Sequence, residues 1–170
     1  MAHNPLWQQS LWDFAVNTYS NPQVEAFCLS LQNQYQANTN ILLWCHWLQE
    51  ENINISREAL TDVVEVIDSV SQITVASLRE VRMQLKKLPG FTKVQAQVIS
   101  KHILNAELMV EKVLLNRMQD LTRRFVEVMP DATNSLKLLH YLEHLKVPDA
   151  EQVAEDFWSV CAMQNLAERA

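Results

Sequence analysis

Residues 38–52 read NTNILLWCHWLQEEN and crowd two tryptophans, a cysteine and a histidine into the consecutive positions Trp44 to Trp47. Such a cluster is either a site for chemistry or the centre of a core. Helical geometry separates the two readings. At about 100° per residue, Ile41, Trp44, Cys45 and Leu48 share one face, and Leu43 and Trp47 widen it past half of the circumference. A helix apolar over most of its surface is buried among others. His46, Gln49 and Glu50 share the remaining polar window, so Cys45 is expected to point inward and His46 toward water. Neighbouring helical residues do not face each other, so Cys45 and His46 are not expected to act as a nucleophile and base. His46 and Glu50, four apart, are expected to pair at the surface. The sharper alternative is a pocket lined by Trp44 and Trp47 with His46 or Glu50 at its mouth.

The rest of the chain agrees with a helical core. Its 170 residues are 48% hydrophobic, enough for one domain with a buried interior. Gly90 is the only glycine. Sheets need glycine in turns and bulges, whereas helices joined by Asn, Pro and Ser do not. Helix starts are marked at Asn4-Pro5, Asn21-Pro22, near Asn38–Asn40, at Ser56 and at Thr92. The first helix is expected to run from Asn4-Pro5 to Tyr19, and the second through Val24, Phe27, Cys28 and Leu31. After the third, a fourth carries Leu60, Val63, Val64 and Ile67. A fifth runs from Ile73 to the stop at Pro89-Gly90, with Leu78, Val81, Leu85 and Leu88 facing the core. Two shorter helices follow, one from Thr133 to Val147 and one after Pro148 with Asp149 and Gln152 as a capping box.

No breaker interrupts the segment between Thr92 and Pro130. Its apolar stripe runs Ile99, Ile103, Ala106, Val110 and Val113, then slips one position to Leu114, Met118, Leu121, Phe125 and Val128. A helix of about 36 residues is roughly 54 Å long, against a radius of gyration of about 15–16 Å for a domain of this size. The expected fold is therefore all-α: a single-domain bundle over residues 1–170, with seven to eight helices and a long spine helix in the C-terminal half, either one bent rod or broken at Asn105 or Asn116. A projecting spine would need its outer end covered, and a homodimer is one way to do so.

Charge is unevenly placed. The net charge is −6 and the pI about 5.3, which argues against a general polyanion binder. Residues 1–56 contain no Lys or Arg, only Asp13, Glu25, Glu50 and Glu51. Residues 79–101 hold Arg79, Arg82, Lys86, Lys87, Lys93 and Lys101 against Glu80. Cys28, Cys45 and Cys161 are odd in number and each sits in an apolar helical pattern, as buried reduced thiols of a cytoplasmic protein would. No apolar run reaches the roughly 20 residues that span a bilayer, and MAHNPLWQQS lacks the layout of a secretory leader.

The runs LWDFAVNTYSNPQVEAFCLSLQ, NTNILLWCHWLQ, SLREVRMQLK and AELMVEKVLLNRM resemble a family of small proteobacterial proteins filed as a domain of unknown function. The resemblance covers roughly residues 7–120. It departs at Ala37, where a glycine is usual, and in lacking a tryptophan before Leu78. It implies a compact helical bacterial protein and carries over no activity.

Among other constellations, His140 and His144 are four apart but want a third ligand, and are read as solvated beside Lys137 and Glu143. Glu107 and Glu111 are four apart, with His102 out of register to complete a di-metal motif. No phosphate loop, nucleophile elbow or zinc pattern occurs, so no catalytic residue, cofactor or metal is assigned. Arg79, Arg82 and Lys86 fall on one side of a helix and form a basic stripe. It suits an acidic protein partner better than nucleic acid, because no aromatics interleave it. The expected function is an interaction module or small adaptor that docks a protein on Arg79, Arg82 and Lys86 or on exposed parts of the acidic N-terminal half. The alternative is a carrier of a small apolar ligand between Trp7, Trp12, Trp44 and Trp47.

Overall fold

In a computed structural model, residues 6–134 and 136–167 are described. The expected helix start at Asn4-Pro5 lies outside them, and residues 6–10, expected in the same helix, are not helical: α1 starts only at Leu11, capped by Ser10. The described chain forms α1 (Leu11–Tyr19), α2 (Pro22–Tyr35), α3 (Thr39–Glu50), α4 (Arg57–Ser71), a π-helical turn (Gln72–Ala76), α5 (Ser77–Leu85), α6 (Lys93–Val128), α7 (Lys137–His144) and α8 (Ala150–Ala167). Since α4, the π turn and α5 run on without a break, seven helical rods make up the bundle.

Caps begin the helices where side chains can take the free N–H groups. Asn21 Oδ1 accepts from Gln23 N at 2.8 Å ahead of Pro22, and Ser56 Oγ accepts from Ala59 N at 3.1 Å. Thr92 and Gln95 form a complete capping box. The box expected at the last helix does not form. Asp149 takes a positive φ of 52° and Gln152 turns to Asp156 Oδ1 instead. The expected gap between the fourth and fifth helices is also absent. Ile73, Thr74 and Val75 are β-branched and crowd an α-helix, and the chain widens by one turn into the π form rather than stopping. Thr74 Oγ1 donates to Val70 O at 2.7 Å and Ser77 Oγ to Gln72 O at 3.4 Å, which occupies carbonyls at the widened turn.

Helix α3 is the centre. Every residue from Asn40 to Leu48 is buried, because α1, α2, α6 and α7 all pack on it and Phe157 of α8 reaches it. Trp44 Nε1 donates to Thr122 Oγ1 at 3.0 Å, and Thr122 Oγ1 donates to Met118 O at 2.8 Å. Trp47 Nε1 donates to Gln9 O at 2.9 Å. The segment before α1 is held over this end of α3 by Glu51, whose carboxylate accepts from Gln8 N and Gln9 N at 2.8 and 2.9 Å. Thr122→Val is expected to destabilise the fold by about 1–3 kcal/mol, since the buried indole N–H then has no acceptor. Urea unfolding of the variant checks it; a midpoint equal to wild type would show that the bond adds nothing.

His46 corrects the expectation of a water-facing imidazole. It is 6% exposed, with its ring 5.2 Å from that of Phe14 and edge-on to Phe157 at 5.9 Å. The wheel assumed that the polar side of α3 meets solvent, whereas α1 and α8 cover it. Burial lowers the pKa of His46 to about 4. Cys45 does turn inward, and its Sγ lies 3.8 Å from Lys137 O, so its partner is a carbonyl and not His46. The three cysteines are free and buried.

Helix α6 is a single 36-residue helix. Its inner part enters the core through Leu114, Leu115 and Met118, while its outer part packs on α5. The slip in its stripe marks that change of partner: Val113 is 65% exposed and Leu114 only 4%. The core-facing stripe expected for α5 holds in part. Leu85 is buried, but Val81 and Leu88 are exposed, because α5 packs chiefly on α6 and the π turn and the bundle does not close over it. Helices α5 and α6 thus form a two-helix arm.

Candidate functional site

Two of the three stripe cations are turned into the arm. Arg82 grips Glu107 side-on, with Nε at 2.5 Å from Oε1 and Nη2 at 3.1 Å from Oε2. Arg79 Nε lies 3.7 Å from Glu107 Oε2 and its Nη2 lies 3.5 Å from Glu111 Oε1. The Glu107 side chain is 3% exposed, so this network replaces its hydration. The hydrogen bond to Glu107 raises the Arg82 pKa further, and burial raises that of Glu111 against the pull of Arg79. The expected basic stripe thus loses two of its three cations to pairing inside the arm. The wheel placed Arg79 and Arg82 together but could not show that α6 faces them with two carboxylates.

Lys86 is different. It is exposed and, with Lys87, Lys93 and Lys101, forms no ion pair among the described residues. Lys86, Lys93 and Lys101 rim an open groove of about 740 Å³ at the end of the arm, whose apolar wall includes Leu85, Leu88, Phe91 and Leu104. The break that forms this end is Pro89-Gly90, where Gly90 takes φ 108°, a value L side chains rarely adopt. Ser100 lines the same groove with its Oγ buried and without a hydrogen-bond partner. Residues Lys93, Phe91, Leu104 and Ser100 were not singled out as a site in the sequence. The signal was the apolar surplus of the 78–104 segment beside its lysines.

A second cavity, about 240 Å³ and polar, lies at the π turn, with Asn38, Asp68, Gln72, Arg79 and Glu111 among its walls. Asn38 anchors it, donating through Nδ2 to Asp68 Oδ1 at 3.0 Å and through its N–H to Tyr141 Oη at 2.8 Å. Burial raises the pKa of Asp68.

The other sequence candidates are absorbed by packing. Trp44 and Trp47 are fully buried, and Trp7 and Trp12 lie against the core under the cations of Arg123 and Lys112, at 5.1 and 5.0 Å from the ring centroids. None of these tryptophans lines the groove or the polar cavity. Lys137, expected on a solvated face, is buried, whereas Glu143 of the same helix is exposed and pairs with Arg57 at 3.1 Å. His140 is half-buried and His144 exposed. Among the described residues, no helix is long and apolar enough to cross a membrane.

The architecture defines an all-helical bundle bearing a two-helix arm. The chain belongs to the family described as "Protein of unknown function (DUF2390)", which matches residues 10–118. The match takes in the arm and its groove and stops short of α7 and α8. No curated protein and no solved structure matches the chain.

Proposed function

We propose that this is a cytoplasmic bacterial interaction module whose arm groove takes an amphipathic helix with acidic flanks from a protein partner. The observation that carries the reading is the apolar groove between α5 and α6, rimmed by Lys86, Lys93 and Lys101, cations that form no ion pair among the described residues. An apolar helix face laid into such a groove buries Leu88 and Phe91, and glutamates along its edges meet the lysines. Three free, buried thiols support a reducing compartment. A second copy of the arm would bring the same lysines face to face, which disfavours arm-to-arm pairing.

The test must spare Arg79 and Arg82, whose reversal would break the arm itself. A labelled helical peptide with a leucine face and glutamate flanks is compared with one flanked by lysines, using fluorescence anisotropy. The acidic peptide is expected to bind, and Lys86→Glu/Lys93→Glu/Lys101→Glu to weaken it about tenfold or more and favour the basic peptide. Equal binding of both peptides, or none, overturns the reading. So does tighter association with phosphatidylglycerol vesicles, or an arm-dependent dimer in sedimentation that excludes the peptide.

A further inference from the structure

The polar cavity at the π turn holds a carboxylate without a counter-charge. Asp68 is half-buried, and its Oδ1 accepts from Asn38 Nδ2 at 3.0 Å. Among the described residues it forms no ion pair. The other charged walls are already engaged. Arg79 lies 3.5 Å from Glu111 and 3.7 Å from Glu107, and Glu107 is also held by Arg82. Two cations and two anions balance there, which leaves Asp68 as the excess charge of the cavity. Burial outweighs the bond from Asn38 and the pull of His144, so the pKa of Asp68 is raised.

Asn40 opens onto the same space. It is 8% exposed and lines the cavity. Its backbone N–H donates to Asn38 Oδ1 at 3.1 Å, so a single asparagine ties Asn40 to Asp68. Its side-chain amide makes no hydrogen bond to another described residue, and neither end of that amide is sealed from solvent. In a residue this deeply buried, the cavity is the route by which the amide is reached. Gln36 at the end of α2 and Gln72 in the π turn add further amides, while Ala37, Val75 and Ala76 supply the little apolar wall there is. Amide oxygens beside an unmatched carboxylate suit a cation that donates hydrogen bonds, and not an apolar ligand. A metal ion fits less well, since among the described residues no three His, Cys, Asp or Glu side chains gather to hold one.

We infer that this cavity binds a small primary amine, its ammonium held by the Asp68 carboxylate and the side-chain oxygen of Asn40. A volume of about 240 Å³ leaves room for a short polar tail among the other amides. All of its walls lie inside the family match, and it shares none with the arm groove, so the two sites are tested separately. Ethanolamine is the probe, at neutral pH and constant ionic strength. Choline is the control, because it has the same charge and tail but no N–H donor. The NMR signals of the Asn38 and Asn40 side-chain amides are the readout. Ethanolamine is expected to shift both in a saturable way, and choline to leave them in place. Asp68→Asn keeps an acceptor for Asn38 Nδ2 and removes the charge, and is expected to weaken binding about tenfold or more. Asn40→Ala removes an amide that has no partner in the free protein. It is expected to fold as wild type does and to weaken binding as well, read on the Asn38 signal. Should Asp68→Asn not fold, Asn40→Ala decides alone. No saturable shift with ethanolamine, an equal shift with choline, or unchanged affinity in either folded variant overturns the inference.

Discussion

Arg82→Met is expected to lower stability by about 3 kcal/mol, at the low end of what breaking a buried ion pair costs. The methionine keeps the aliphatic stem and removes only the guanidinium. What remains is the Glu107 carboxylate, with a side chain 3% exposed and its nearest cation Arg79 at 3.7 Å. The cost lies in the stranded acid and not in a lost surface contact. Arg82→Met/Glu107→Leu should therefore recover most of the loss, because an apolar pair of similar volume strands no charge. Lys86→Met, on the same helix, should change stability by no more than about 0.5 kcal/mol. Urea unfolding of the three variants checks the set. If Arg82→Met and Lys86→Met unfold at one midpoint, Arg82 is a surface cation after all and the arm is not held by this network.

The second large effect is on acid stability. His46 is buried against Phe14 and Phe157 with its Nδ1 unpartnered, and burial lowers its pKa from 6.5 to about 4. The folded state thus keeps the ring neutral where the unfolded chain protonates it. Above pH 6.5 both states are neutral and the folded state has its full advantage. As the pH falls from 6.5 toward 4, the unfolded state takes up the proton and stability declines. Below about 4 both states are charged and the loss is complete, at about 3 kcal/mol. His46→Leu removes this contribution at similar volume. Its stability should fall less steeply than that of wild type between pH 6.5 and 4, while carboxylates titrating in the same window cancel in the comparison. Parallel curves would mean that the imidazole is hydrated in the folded protein.

The first of these effects bears on the proposed docking. The arm is stiffened from inside by Arg79, Arg82, Glu107 and Glu111, so its groove is presented by a structure already paid for in the free protein. A partner helix then orders little beyond itself, which favours affinity. In the proposed docking, the lysines that rim the groove would select the partner by charge.

Much of the fold was legible in residue order alone, because it depends on local rules. Apolar spacing, one glycine, and caps at Asn21, Ser56 and Thr92 determine helices, most of their starts and the central place of the Trp44–Trp47 quartet. They left open whether the segment between Thr92 and Pro130 is one helix or breaks at Asn105 or Asn116, and the structure makes it one. The tertiary structure decided everything that depends on which face meets which neighbour. A wheel shows that His46 is opposite the apolar arc, but only the packing of α1 and α8 puts it in the dark. The same wheel gathers Arg79, Arg82 and Lys86, yet residues 25 and 32 positions further on, Glu107 and Glu111, turn two of them inward. Lys137 and Asn54 are separated by 83 positions and meet at 3.2 Å. Burial and charge pairing are sums over neighbours distant in sequence, and periodicity carries information about one helix at a time.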